Sequence, residues 1–121
     1  MGRIRHYRDL DVWQRGMDVT VMVYRFTDLF PKSEVYGLTN QIRRAAVAIS
    51  SNIAEGYGRS NKEFGRFLSI ARGSLAELET QLEIARRIQY LSEENFEALN
   101  AEITILGKQL NVLSQKVNAR M

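Results

Sequence analysis

The amino-acid sequence predicts an all-α protein, an up-down-up-down four-helix bundle, on three observations. Apolar residues recur three and four apart through four successive segments. The connections between those segments are only a few residues long, which favours antiparallel neighbours. The composition, 121 residues with one proline, eight glycines and 45% apolar residues, suits a single folded helical domain with one core.

Residues 1–9 precede the first helix and are expected to form a flexible basic arm. Arg3, Arg5 and Arg8, interleaved with His6 and Tyr7, suit either a solvated tail or a phosphate-contacting arm. Guanidinium and ring faces both stack on unpaired bases, so this mixture is compatible with RNA. The bundle is expected over 10–119. Its first helix, about 11–30, opens with Asp11 and Gln14 as a candidate cap and is bounded by Pro31. Trp13, Met17, Val21 and Tyr24 form one apolar stripe, and Val12, Val19, Val23, Phe26 and Phe30 form a second beside it. At about 100° per residue the two cover roughly 200°, more than one core requires. The excess predicts a second buried side against another subunit, with Trp13, Val19, Val23 and Phe26 as the expected oligomer interface. The connection PKSEVYG leaves room for a helical turn.

The second helix is expected over about 38–57, with Leu38, Ile42, Ala45, Ala46, Ile49 and Ile53 on its inner face and Arg43 and Arg44 turned away. Its alanines make it slim, so that neighbours can approach closely. Asn52 lies at the edge of the apolar face, where a buried amide needs a partner. Gly56 and Gly58 suit the helix end, and Ser60 with Glu63 reads as a capping box for the third helix, about 61–89. That helix carries the seam Phe64, Leu68, Ala71, Leu75, Leu78, Leu82 and Ala85. Gly73 interrupts it at a cost of about 1 kcal/mol relative to alanine unless another backbone approaches. Ser92, followed by Glu93 and Glu94, caps the fourth helix, about 93–118. Its seam from Phe96 to Val117 is the most regular in the chain. The last two helices reach about 40 Å and the first two about 30 Å, so the overhang must be covered by the 31–37 connection, the arm or another subunit.

The formal net charge is +3, unevenly spread. Residues 41–72 hold Arg43, Arg44, Arg59, Lys62, Arg66 and Arg72 against Glu55 and Glu63. Such polarisation favours a polyanionic partner. Thiolate and disulfide chemistry are excluded by the lack of cysteine, and the single histidine is His6. GYGRS lacks the Gly-Lys-Ser/Thr ending of a phosphate loop, and the Glu-x-x-His pairs of di-iron bundles are missing. No catalytic residue, metal ligand or cofactor is therefore assigned. A cytoplasmic protein without a membrane span is expected. The candidate nucleic-acid contacts are Arg43, Arg44, Arg59, Lys62 and Arg66, expected to lie near one another across the tight turn, together with the arm. Selectivity would come from RNA shape or loops rather than from a base-reading code.

Several of these segments resemble a known family. YRDLDVWQ at 7–14, YGL at 36–38, QIRRA at 41–45, SNIAEG at 51–56 and SLAELETQL at 74–82 are similar to the bacterial four-helix bundle proteins encoded in intervening sequences of 23S ribosomal RNA genes. That family is in turn similar in fold to the basic pentameric accessory proteins of diversity-generating retroelements, which bind nucleic acid and a reverse transcriptase. The resemblance implies a left-handed bundle, a homopentamer, and an association with RNA, ribosomal RNA included, or with the ribosome. Asn52, Glu55 and Gly56 match the family's signature and are read first as structural, the amide and carboxylate tying the helix end to its neighbours. Ser50 stands where the family often has proline; it restores a backbone N–H and leaves the bend of the second helix open.

The expectation is thus a non-enzymatic oligomer that binds structured RNA. A protein-interaction scaffold recruiting a nucleic-acid enzyme is the alternative, and an RNA-processing enzyme is disfavoured.

Overall fold

The computed structural model describes residues 5–120. Among these the chain forms α1 (Asp11–Thr27), α2 (Leu38–Gly56), α3 (Asn61–Arg87) and α4 (Glu93–Asn118), with 3-10 turns at Tyr7–Asp9 and Lys32–Glu34 and no strand. Each helix packs on the next and α1 also packs on α4, closing a four-helix bundle. The faces turned inward are the apolar seams: Val12, Val19 and Val23 from α1, Ile42, Ile49 and Ile53 from α2, Leu68, Leu78 and Leu82 from α3, and Leu99, Leu106 and Leu110 from α4 are all buried. Side chains of this size each contribute about 1.5–3 kcal/mol on full burial.

Local chemistry sets the helix ends. Ser60 Oγ accepts from Glu63 N at 3.2 Å and Ser92 Oγ from Asn95 N at 3.1 Å, satisfying donors that the first helical turn leaves free. The reciprocal half of the expected box at Ser60 is not made, because the Glu63 carboxylate turns to Arg59 instead. Asp11 is not a cap. α1 follows Leu10, which has no capping side chain, and Gln14 Nε2 donates to Arg8 O at 3.0 Å. α1 also stops at Thr27, short of residue 30. Its hydroxyl folds back to Val23 O at 2.7 Å, and Pro31 disfavours helical geometry in the residue before it. α3 ends at Arg87, where Gln89 takes a φ of 67° and the N–H groups of Tyr90 and Leu91 both return to Ala85 O.

The segment expected to be a free arm is folded against α1 from Arg5 onward. Asp9 accepts from the backbone N–H groups of Arg5 and His6, both at 3.1 Å, and the Tyr7 ring rests 5.4 Å from that of Trp13. Arg3 lies outside the described residues.

At the other end the 28–37 connection covers the overhang of α3 and α4. Phe30 is buried with its ring 5.7 Å from Tyr90, and the Tyr90 hydroxyl donates to Glu34 Oε2 at 3.2 Å. That bond to a carboxylate, with desolvation, pushes the phenol pKa up. The turn foreseen in this connection is Lys32–Glu34.

α1 and α2 approach unusually closely at Gly16, where a Cβ would lie 2.3 Å from Ser50 Oγ. Ser50 Oγ donates to Trp13 O at 3.2 Å across the pair, and Thr20 Oγ1 is 3.3 Å from Ala46 O. α2 runs as an uninterrupted helix through Ser50. Among the described residues no helix is long and apolar enough to cross a membrane.

Candidate nucleic-acid interface

The α2–α3 turn is built on two glycines. Gly56 is buried where a Cβ would stand 2.6 Å from Phe67 Cβ, so its lack of a side chain lets α3 close on α2. Gly58 takes a φ of 84°, a left-handed conformation that reverses the chain at little cost. With α3 held this close, the Phe67 ring lies beneath two guanidinium groups. Arg59 sits over it at 5.0 Å and Arg66 at 5.8 Å. Arg59 is further tied, donating to Glu55 O at 2.8 Å and pairing with Glu55 at 3.1 Å and Glu63 at 3.2 Å. It is a strap across the turn, with its charge already answered by two carboxylates. Lys62 and Arg66, four apart on one helix face, are exposed and have no ion-pair partner among the described residues.

Arg43 and Arg44 lie further from the turn. Arg44 is 12 residues before the end of α2, about 18 Å along the axis, whereas Arg66 is five residues into the antiparallel α3, about 8 Å from the turn. The pair itself is also divided in role. Arg43 Nε donates to Thr27 Oγ1 at 2.9 Å, its guanidinium lies 4.5 Å from the Tyr24 ring centre, and Asp28 is 3.7 Å away. It holds α2 to the C-terminal end of α1, where a cation complements the helix dipole. Arg44 is exposed and, among the described residues, unpaired. Arg5 and Arg8 are exposed, with Arg8 5.8 Å from the Tyr7 ring centre.

The other expected positions fall as follows. Asn52 Nδ2 donates to Ala48 O of its own helix at 2.7 Å, so the amide is satisfied locally and ties nothing across. Glu55 reaches Arg59 in the turn, and Gly56 is the close-approach point already described. Of the proposed oligomer interface, Val19 and Val23 are 0% exposed inside the bundle and cannot face another subunit. Trp13 and Phe26 are partly buried against the same core. Two apolar stripes lie side by side on α1, and the inward one contains Val12, Gly16, Val19 and Val23. The side that remains outside is Met17, Val21 and Tyr24.

Beside this exposed stripe a groove of about 670 Å³ is lined by Tyr24, Val35, Tyr36, Asn40, Arg43, Arg44, Val47 and Ala48. A second, of about 340 Å³, follows the same seam past Val47 to Trp13 and Tyr7. Tyr36, 94% exposed, lies in the connection before α2 and outside every apolar periodicity, so it was missed. Its place as the first residue of the YGL match was the one available signal.

At the far end of α3, Glu83 bonds to Arg86 and Arg87, and Arg86 also pairs with Glu93. The hydrogen bonds from Arg86 and then Arg87 hold the Glu83 carboxyl at about 2, below its ordinary 4.5. This is a local ion network outside the cationic surfaces. Among the described residues no group of three or more His, Cys, Asp or Glu side chains is placed to hold a metal ion.

Comparison with known proteins gives a family and a fold. The family model described as 23S rRNA-intervening sequence protein matches residues 8–112. A crystal structure of a protein of unknown function from the S23 ribosomal protein family of Bacteroides thetaiotaomicron is 26% identical, with a TM-score of 0.77, over 86% of this chain and 95% of that one. No curated protein matches.

Proposed function

We propose that this chain, which belongs to the 23S rRNA-intervening sequence protein family, is a non-enzymatic homo-oligomer that binds structured RNA, ribosomal RNA being the candidate that the family's description suggests. The observation that carries the reading is the state of the cations. Arg15, Arg43, Arg59, Arg86 and Arg87 are engaged with carboxylates, whereas Arg44, Lys62 and Arg66 stand exposed with no ion-pair partner among the described residues. So do Arg5, Arg8, Arg25, Lys32, Arg72, Lys108, Lys116 and Arg120, and Lys62 and Arg66 share one helix face. Free cations held on rigid helices suit a phosphate backbone, since each neutralised phosphate releases counterions. Repetition of the set around an oligomer multiplies the effect. The resemblance favours five copies. A closed ring uses two different patches on each subunit, and exposed Ile70 and Ile84 on α3, Ile88 just after it, and Ile105 and Val112 on α4 are apolar residues available for them.

The test is RNA affinity as a function of salt, on a sample whose mass is followed by light scattering. Lys62→Gln with Arg66→Gln is expected to lower the slope of log affinity against log salt by about 1.5 to 2. An unchanged slope refutes the assignment of these residues, and absence of salt-sensitive binding in the parent protein refutes the RNA reading.

A second reading, a scaffold that recruits a protein partner, is favoured by the exposed Met17, Val21 and Leu29 on and just after α1, the last 73% exposed. Partner binding that survives removal of Arg44, Lys62 and Arg66 would support it over the first.

A further inference from the structure

We propose that the α1–α2 seam is a track for an unpaired stretch of RNA, with bases stacking on the Tyr36 and Tyr24 rings and the backbone held by Arg44. The proposal rests on the RNA-binding reading above and names the part of the RNA that this face takes. Sequence-tolerant recognition of single strands combines a cationic groove with exposed aromatic faces, and both occur here. Tyr36 is 94% and Tyr24 44% exposed, and both line one groove with Asn40, Arg43 and Arg44.

Three features favour this occupant. No carboxylate lines either groove of the seam, the Asp28 carboxylate 3.7 Å from Arg43 standing at one end. Each end carries a guanidinium against an aromatic ring, Arg43 with Tyr24 at 4.5 Å and Arg8 with Tyr7 at 5.8 Å. Arg43 is moreover held by Thr27 Oγ1 at 2.9 Å, so its guanidinium is placed against the ring before any ligand arrives. Between the ends the apolar Met17 and Val47 lie beside Ser51 and beside Thr20 and Ser50, whose hydroxyls already donate to Gly16 O and Trp13 O. Asn40 supplies the one side-chain amide, able to donate to or accept from a base edge.

The experiment compares a labelled single-stranded oligonucleotide with a fully paired RNA duplex on the full chain. Tyr36→Ala, at an exposed position where folding is not at stake, is expected to weaken single-strand binding about 5- to 100-fold and to leave duplex binding within about twofold. Tyr36→Phe, which keeps the ring, retains affinity. Trp13 is the only tryptophan and lines the same seam, so its emission should change on adding unlabelled single strand but not duplex. Single-strand affinity unaltered in Tyr36→Ala, alongside salt-sensitive duplex binding, overturns the track and leaves the RNA reading standing. A change in oligomer mass on Tyr36→Ala overturns it by making the seam a protein interface. Binding of neither RNA by the parent protein removes both this inference and the reading beneath it.

Discussion

The approach of α1 to α2 at Gly16 sets up a sharp test of how the bundle is held. Alanine at this position places its Cβ 2.3 Å from Ser50 Oγ, so the hydroxyl must leave its hydrogen bond to Trp13 O. The lost bond costs about 1 kcal/mol and the overpacking about 1–3. Helix propensity returns about 1 kcal/mol, because alanine replaces a glycine inside a helix. Gly16→Ala is therefore expected to destabilise the protein by about 1–3 kcal/mol. Ser50→Ala alone loses the bond without a clash, costing about 1 kcal/mol. With both changes the nearest neighbours of the new Cβ are the residue-50 Cβ at 3.6 Å and Ile49 Cγ2 at 3.8 Å, ordinary contacts. The propensity gain then offsets the lost bond, and the double variant should return to within about 1 kcal/mol of the parent.

The assay is a double-mutant cycle by urea and thermal unfolding, with helix content and Trp13 emission as probes. Protein concentration must be held fixed, because association would shift the midpoints. For a chain of this size each kcal/mol moves the melting temperature by roughly 4 °C. The expected signature is a coupling of about 2–4 kcal/mol in favour of the double variant. Additive losses would refute the argument, showing that the hydroxyl is not what the new methyl group meets.

Three further outcomes follow from single positions. Gly73→Ala should stabilise α3 by about 1 kcal/mol, because nothing lies within 4 Å of the added Cβ; a loss of stability would mean that a neighbour occupies that space in the assembled protein. Gln89→Gly should raise the urea midpoint, equivalent to about 0.5–1 kcal/mol, since a non-glycine residue at a φ of 67° is strained. The Glu83 carboxyl should titrate near 2 in a carbon-detected NMR series; because its folded-state pKa lies below the ordinary 4.5, its stabilising contribution is complete above about 4.5 and is lost as pH falls through about 2. Glu83→Gln should remove that part of the acid dependence.

The helices were legible because their determinants are local. Seams at three- and four-residue spacing, Ser60 and Ser92 at N-caps, and glycines at 56 and 58 act within a turn or two, so α2, α3 and α4 begin at the expected residues. What escaped depends on contacts between distant residues. Both stripes of α1 are apolar, and Val19 and Val23 became core because Gly16, in the same stripe, is the small residue that lets α2 in. A glycine between valines in a helix of unusually wide apolar arc was the signal available for that choice. The cations show the same limit. Arg43 finds its partner Thr27 sixteen residues back, and Arg59 finds acids on both sides of its turn. A count of positive charges treats both as equal to Arg44, Lys62 and Arg66, although the folded chain has already engaged them. The consequence reaches function. Once the engaged arginines are set aside, the remaining cations attract any polyanion alike, and discrimination must come from what lies between them. On the α1–α2 side that is a pair of exposed tyrosines, one of them in a connection to which apolar periodicity is blind. Exposed rings stack only on bases that are free, so under the proposed RNA-binding reading this chain's preference should follow the unpaired parts of an RNA as well as its charge.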